Sequence, residues 1–317
     1  MIRPFESRDY ERFASIGFAI DPDSARGAEW LRARDTNFDP KLLRVRLVAE
    51  RAGQVVGWGQ VGHRWWAYHP RKFSMRIEVD PPFQGQGIGA ALYDRLAATL
   101  AAWDPIMVEA GTREGRARAI EFLERRGFTE LRRRWQSRLA LGEVDLDRLN
   151  HARQRLEQQG LMVSTLTAER ERRGDDLLRA VYELEMRAIQ TEPGFEPGTS
   201  MSFEQFLKNE LLSAEMIPDA AFLALDGERV VGISRLQRSA WQPDVLDQGF
   251  TGVDPDYQGR GIALALKVRT IEFAQAHGFA AIATQNDTTN EPMLHINERL
   301  GFRREPAWIM FERQFAT

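Results

Sequence analysis

Apolar positions along this chain switch between two periods, and they do so twice in the same order. Residues 45–50 ("VRLVAE") and 220–225 ("AAFLAL") each lead through a glycine-bearing turn ("RAG"; "DGE") into a second apolar run, the pattern of an antiparallel hairpin. A third strand is predicted at 73–79 ("FSMRIEV") and at 245–253 ("VLDQGFTGV"). Each stops at an Asp-Pro pair, where proline removes a ladder donor. The period then becomes helical: Leu92, Leu96 and Leu100 form one stripe, and Leu264, Val268 and Ile271, with Leu266, form the other. Strands follow at 106–111 and 280–285. A second helix then ends in Gly-Phe in each copy, glycine being the usual left-handed helix terminator. A last strand, "WQSRLAL" (135–141) or "AWIMFER" (307–313), is expected to complete each copy, and "MIRPF" (1–5) and "LMVSTL" (161–166) are expected to open them.

The two patterns are a repeat. "VDPPFQGQGIGAAL" (79–92) and "VDPDYQGRGIALAL" (253–266) share nine of fourteen positions at an offset of 174 residues. The same offset relates Gly127 and Phe128 to Gly301 and Phe302, and an offset of 175 relates Gly57 to Gly232. That period is far too long for a solenoid and has the size of a domain. The expected organisation is an N-terminal domain over 1–141, a polar helical connector over 142–160, and a C-terminal domain over 161–317. Within the second copy, "QTEPGFEPGTSMSFEQF" (190–206) reads as an inserted loop marked by two Pro-Gly pairs.

Composition narrows the function classes. With 43% hydrophobic and 28% charged residues the chain is globular, and a net charge of −3 gives no electrostatic footprint for nucleic acid. There is no apolar N-terminal core of a signal peptide and no run of about 18 apolar residues, so no membrane span is expected and the chain is read as cytoplasmic. Cysteine is absent, and the five histidines are scattered without metal-ligand spacing. No metal is expected, and no thiolate chemistry.

The glycine stretch admits three phosphate-binding readings. A P-loop requires a Lys-Ser/Thr pair that neither copy has. A dinucleotide fingerprint formally fits Gly85, Gly87 and Ala90, but Leu264 breaks it in the second copy. A proline-containing segment also separates strand from glycines, unlike a Rossmann turn. What remains is a strand, a proline stop and Gln-Gly-x-Gly-Ile-Gly/Ala opening a helix. There, bare glycines let a phosphate approach, and the first-turn N–H groups with the helix dipole favour its charge. The plain alternative is a turn whose glycines merely allow positive φ.

Together with "FLERRGF" and "NEPMLHINERLGF", these stretches resemble the acetyl-CoA motif and the C-terminal motif of the GNAT superfamily of N-acetyltransferases. The resemblance covers nearly the whole chain, once per half, as in tandem-domain GNAT enzymes, an arrangement shared with mycothiol synthase. It implies an α/β (α+β) fold of two tandem domains, each a mixed, mainly antiparallel sheet flanked by helices. It further implies acetyl-CoA as cosubstrate. Carried over by position, the loop backbone that holds the pyrophosphate is Gln84, Gly85, Gln86, Gly87, Ile88 and Gly89 in one copy. In the other it is Gln258, Gly259, Arg260, Gly261, Ile262 and Ala263. Val79 and Val253 would meet the pantetheine arm and the acetyl carbonyl. Asn290 matches the asparagine that opens the family's last helix. The tyrosine seven residues later, the usual general acid, is replaced by Asn297 here and by Leu123 in the first copy, where Arg116 takes the asparagine position.

An ammonium acceptor must lose a proton before it attacks, and strand alternation places Asp247 on one face with Gly249, Thr251 and Val253 as the candidate base. The expected catalytic pair is therefore Asp247 with Asn297, in the C-terminal half. The expected reaction is acetyl transfer to the primary amine of a small molecule, by a monomer or homodimer. A non-catalytic acetyl-CoA sensor is the competing reading, supported by the missing tyrosine; a dehydrogenase is a distant third. The arginines of 113–126 and 131–138 read as a solvated face and the aromatics of 62–70 as packing. Glu192 and Glu196 on the inserted loop suit attraction of a cationic amine, the plain alternative being a loop that is acidic for solubility.

Overall fold

The computed structural model describes residues 1–22, 25–64, 66–145, 150–195, 201–239 and 242–315. The first half contains β1 (Ile2–Pro4), α1 (Tyr10–Ile20), α2 (Ala28–Thr36), β2 (Arg44–Arg51), β3 (Gln54–His63), β4 (Lys72–Val79), α3 (Ile88–Ala101), β5 (Met107–Arg113), α4 (Ala117–Glu124) and β6 (Thr129–Ala140). The second contains α5 (Asn150–Glu157), β7 (Met162–Thr165), α6 (Leu166–Arg173), α7 (Asp176–Ile189), α8 (Phe203–Phe206), β8 (Met216–Asp226), β9 (Arg229–Arg238), β10 (Val245–Val253), α9 (Ile262–Ala276), β11 (Ala281–Asp287), α10 (Glu291–Leu300) and β12 (Arg303–Gln314). Two compact units result, one built on Met1–Arg132 with the chain end from Trp308, the other on Arg133–Phe195 with Ser202–Ala307.

In the first unit β1 to β4 form an antiparallel meander, β5 joins β4 in parallel, and residues 308–314 of β12 pair antiparallel with β5. The second unit repeats the plan: β7 to β10 antiparallel, β11 parallel to β10, and residues 134–140 of β6 antiparallel to β11. The mixed, mainly antiparallel sheet flanked by helices is as expected, but the closing strands are not. "WQSRLAL" lies on β11, with Ser137 opposite Thr284, and "AWIMFER" lies on β5, with Phe311 opposite Ala110. Each copy's last strand completes the other copy's sheet. Apolar alternation reports which faces of a strand are buried and is silent about its neighbour.

The helical stripes bury as predicted. Leu92, Leu96 and Leu100 are almost wholly enclosed with Phe73, Val108 and Phe311; Leu266, Val268 and Ile271 are enclosed with Leu246, Ile282 and Phe302. Each such leucine contributes about 1.5–3 kcal/mol of burial. Helix α5, within the expected connector, sends Ala152 and Leu156 into the second core. Residues 146–149 of that connector and 196–200 of the inserted loop, including Glu196, lie outside the described residues, as does Trp65. The end of the inserted segment, read as loop, forms α8. Helices α1, α2, α6 and α7 were not anticipated. The first and last of these carry a matched device: Arg12 pairs with Asp80, and Arg187 Nη2 reaches Asp254 Oδ1 at 3.0 Å, 175 residues later. In each unit a helix arginine thereby anchors the Asp-Pro stop from which the glycine loop departs.

Candidate active site

Both glycine loops adopt the same backbone. Gly85 and Gly87 have φ of +76° and +81°, Gly259 and Gly261 of +75° and +85°. An ideal Cβ at Gly85, Gly87 or Gly259 would meet nothing within 4 Å, and at Gly261 only Arg155 Cδ, at 3.9 Å. Glycine is required here by conformation, and the space above the loop is open. Gly87 and Gly261 are the N-caps of α3 and α9. The first intrahelical bonds are donated by Ala91 and Ala265, so the N–H groups ahead of them are not used within the helix. An anion fits such a cradle.

The glutamine side chains serve the loop itself. Gln84 Nε2 donates to the Val79 carbonyl at 2.9 Å; Gln258 Nε2 donates to Thr191 Oγ1 at 3.1 Å and, more loosely, to the Val253 carbonyl at 3.5 Å. Gln86 is held by Arg51 and by the Pro82 carbonyl. Arg260 lies over the Tyr257 ring, and its carbonyl accepts from Gln159 at 3.2 Å. Ile262 is buried in the core, Ile88 partly so, and Gly89 and Ala263 sit in the first helical turn. Only backbone remains for a ligand at most of these positions.

The two units differ beside their loops. β4 keeps one register against β3 from Gly57–Val79 to His63–Phe73, whereas β10 shifts by one residue against β9 between Gln248 and Thr251. This bulge leaves an unpaired residue and reverses side-chain parity. Gln248 and Thr251 consequently share a face, both bonded to Ser234 Oγ, at 3.2 and 2.9 Å. Asp247 falls on the opposite face from Thr251 and Val253. The alternation that made Asp247 a candidate base does not survive the bulge, and Asp247 is not among the residues that line the cavity between β10 and β11.

β10 and β11 pair over Val245–Asp247 against Ala281–Ala283, and toward Val253 and Asp287 they part. A cavity of about 200 Å³ occupies the gap, lined by Gln248 to Thr251, Thr284 to Asp287, Asn290, Met293, Lys267, Arg134, Glu192 and Pro193. Asn290 caps α10, its Oδ1 accepting from the Met293 N–H at 3.3 Å. Asn297 does not line this cavity. It is buried one layer behind, where its Nδ2 donates to Asn286 Oδ1 at 2.7 Å and its own Oδ1 is unpartnered.

Electrostatics sharpen the site. Lys267, on α9, is 1% exposed, and burial pushes its amine down to about 7. Glu192 is an exposed residue whose carboxyl faces inward enough for desolvation to raise it; Arg134 opposes the rise and Glu185 adds to it. Under the bulge, Arg235 and Glu185, each almost wholly buried, pair at 3.2 Å, and Arg235 also reaches Glu210 at 2.7 Å. Burial raises Glu185, with Arg235 opposing; Glu185 and Glu210 outweigh the desolvation of Arg235 and keep it charged. Arg235→Met strands Glu185 and is expected to cost about 3–5 kcal/mol in urea unfolding, most of it recovered in the double variant with Glu185→Leu.

In the first unit, Arg116 stands at the N-cap of α4 in place of asparagine. It donates to the Ile20 carbonyl at 2.7 Å and pairs with Asp21 at 3.4 Å, and Arg113 meets the same carboxylate at 3.0 Å. Ion-paired side chains hold the ground where the second unit has its cavity wall. The cavity described in the first unit, about 320 Å³ and mostly apolar, lies instead along the far turns of α3, between Tyr93 and Ala101.

Sequence reasoning missed Lys267, Thr284, Gln248 and Asn286. Lys267 left a signal, a lone charge in the apolar stripe of α9, six residues past Gly261. Among the described residues no group of His, Asp and Glu is placed to hold a metal ion, and no helix is long and apolar enough to cross a membrane.

The sequence matches the Acetyltransferase (GNAT) family over residues 10–128 and again over 179–302. The chain belongs to that family. This tandem GNAT acetyltransferase is 26% identical over 276 residues to the mycothiol acetyltransferase of Rhodococcus opacus (strain B4), covering 84% of this chain and 82% of the relative. It is 23% identical over 244 residues to that of Arthrobacter sp. (strain FB24), covering 75% and 69%. Among solved structures, the tandem GNAT protein from the clavulanic acid biosynthesis pathway superposes with a TM-score of 0.76 at 16% identity, covering 100% of this chain and 99% of that one. A GCN5-related N-acetyltransferase from Sphaerobacter thermophilus gives 0.69 at 21%, covering 99% and 95%. At these identities the likeness is one of fold. The GNAT family uses acetyl-CoA, and the open loop cradles at the α3 and α9 N-termini suit its pyrophosphate.

Proposed function

We propose that this acetyltransferase moves the acetyl group of acetyl-CoA to the primary amine of a small molecule, with the chemistry in its C-terminal half. One observation carries the reading: a bulged β10 and a diverging β11 enclose a polar cavity, and α9, whose N-terminus is open, puts Lys267 on its wall. The thioester supplies an activated acetyl carbonyl that an amine attacks directly. The N–H groups of Gly259 to Ala263 hold the pyrophosphate, and the backbone of the strand end at Val253 and of the bulge lies along the pantetheine arm. Preset N–H donors there stabilise the oxygen on which charge develops. Asn290 keeps its Nδ2 hydrogens for a ligand carbonyl while its Oδ1 caps α10. Glu192 accepts the ammonium proton. Its raised pKa makes it a better proton acceptor than an ordinary carboxylate, and Glu185 adds to that rise. The first unit retains the loop but neither bulge nor asparagine, which supports a scaffolding or weak-binding role.

The test is release of free CoA thiol with a panel of amines, matched by mass-spectrometric detection of the acetylated amine. The name of the relatives adds the amine precursor of mycothiol to aminosugars, polyamines and amino-acid derivatives. Amine-dependent thiol release is expected. Tight acetyl-CoA binding without it favours the sensor reading, which the asparagine and leucine at the tyrosine positions support.

A further inference from the structure

In a family whose usual proton donor is a tyrosine, a second half with Asn297 at that position needs another donor. Asn297 is a poor acid and stands behind the cavity wall, occupied with Asn286. Lys267 stands on the wall itself. Its helix packs against α10, the helix that bears position 297. Among the described residues its amine meets no carboxylate and no hydrogen-bond acceptor; it lies over the face of Phe302, 4.9 Å from the ring centroid. The other ionisable groups on the wall are Arg134, Glu192 and Asp287. Arginine does not release its proton at neutral pH, Glu192 is the proposed acceptor, and Asp287 Oδ1 accepts from the Thr289 N–H and hydroxyl at 2.9 and 2.7 Å, which leaves Lys267 as the cavity's cationic acid. A lysine so enclosed with an aromatic face for company is retained at a cost, since its charge is desolvated without a counter-ion.

We propose that Lys267 is a catalytic residue, the acid that protonates the departing CoA thiolate. The proposal rests on the reading of the C-terminal half as the acetyl-transfer site. As the amine nitrogen bonds to the acetyl carbon, the C–S bond breaks with its electron pair on sulfur, and a proton passes from Lys267 Nζ to that sulfur. Glu192 takes the proton lost by the nucleophile, and exchange with water restores both groups. With its amine near 7, Lys267 is a stronger acid than an ordinary thiol near 8.5, so the transfer runs downhill.

The experiment compares wild type and Lys267→Met with two donors, acetyl-CoA and its isosteric selenoester, using the panel amine turned over fastest. Selenolate is a far weaker base than thiolate and departs without protonation. The expected result is that Lys267→Met lowers kcat with acetyl-CoA by about a hundredfold, with little change in its KM, and that the selenoester restores most of the loss. Wild-type kcat should fall on the alkaline side of about 7, a limb missing in the variant. An unchanged kcat, or equal losses with both donors, overturns the role of Lys267 and leaves the acetyltransferase reading standing. A wild type that binds acetyl-CoA and turns over no amine overturns both. Should Lys267→Met fail to fold, Lys267→Gln and Lys267→Arg give the same donor contrast.

Discussion

Gly261→Arg is expected to abolish amine-dependent acetyl transfer, and Gly87→Arg to leave most of it. The comparison isolates function because the two sites are so alike. Their φ angles are +85° and +81°, so each variant bears the same left-handed strain, about 1–2 kcal/mol. Neither new Cβ meets a close neighbour. What differs is the role proposed for the loop. An arginine side chain over the α9 N-terminus displaces the pyrophosphate from about three charge-assisted bonds of about 1.5–3 kcal/mol each. That is a loss of about a thousandfold or more in kcat/KM. Calorimetric titration with acetyl-CoA should show the second-unit site gone in Gly261→Arg. The reverse outcome, with Gly87→Arg the inactive variant, moves the chemistry to the first half.

Much of the fold was legible because both periods and their punctuation were strong. The strand at 245–253 has the predicted bounds, and Gly127 and Gly301, at φ of +76° and +93°, follow the helices they were expected to stop. The repeat also exposed the loops, which adopt one backbone. Two things were hidden. Pairing partners are not written in alternation, so the crossed closing strands could not be read from the residues of β6 and β12. A bulge is also invisible to a period of two: one extra residue at Gly249–Phe250 turned Asp247 away and brought Gln248 into line with Thr251. Gly252 carries part of the explanation, since a Cβ there would collide with the Phe250 ring folded beside it. Asn297 was found by resemblance, and the structure places it as the support of Asn286. Lys267 was passed over because a single charge in a helical stripe interrupts the pattern by which helices are recognised.

The same lysine makes the fold's stability depend on pH in a direction that can be stated. In the folded chain its amine sits near 7, against an ordinary value of 10.5 that the unfolded chain retains. Above 10.5 neither state holds the proton. As pH falls from there toward 7 the unfolded state takes it up and the folded state does not, so wild type loses stability across that window. Below 7 both are protonated and the loss stops growing. At about 1.4 kcal/mol per pH unit the difference approaches 4–5 kcal/mol. Methionine fills a similar volume without a charge, so Lys267→Met should gain on wild type steadily as pH is lowered from 10 to 7 in urea unfolding, and run parallel to it at more acid pH. Parallel curves over the whole range would mean that Lys267 keeps an ordinary pKa in the fold, and the alkaline limb proposed for kcat would lose its source. A gain confined to the window from 10.5 down to 7 would show that the chain bears a standing cost for a lysine on the wall of the β10–β11 cavity, a cost that packing alone gives no reason to retain.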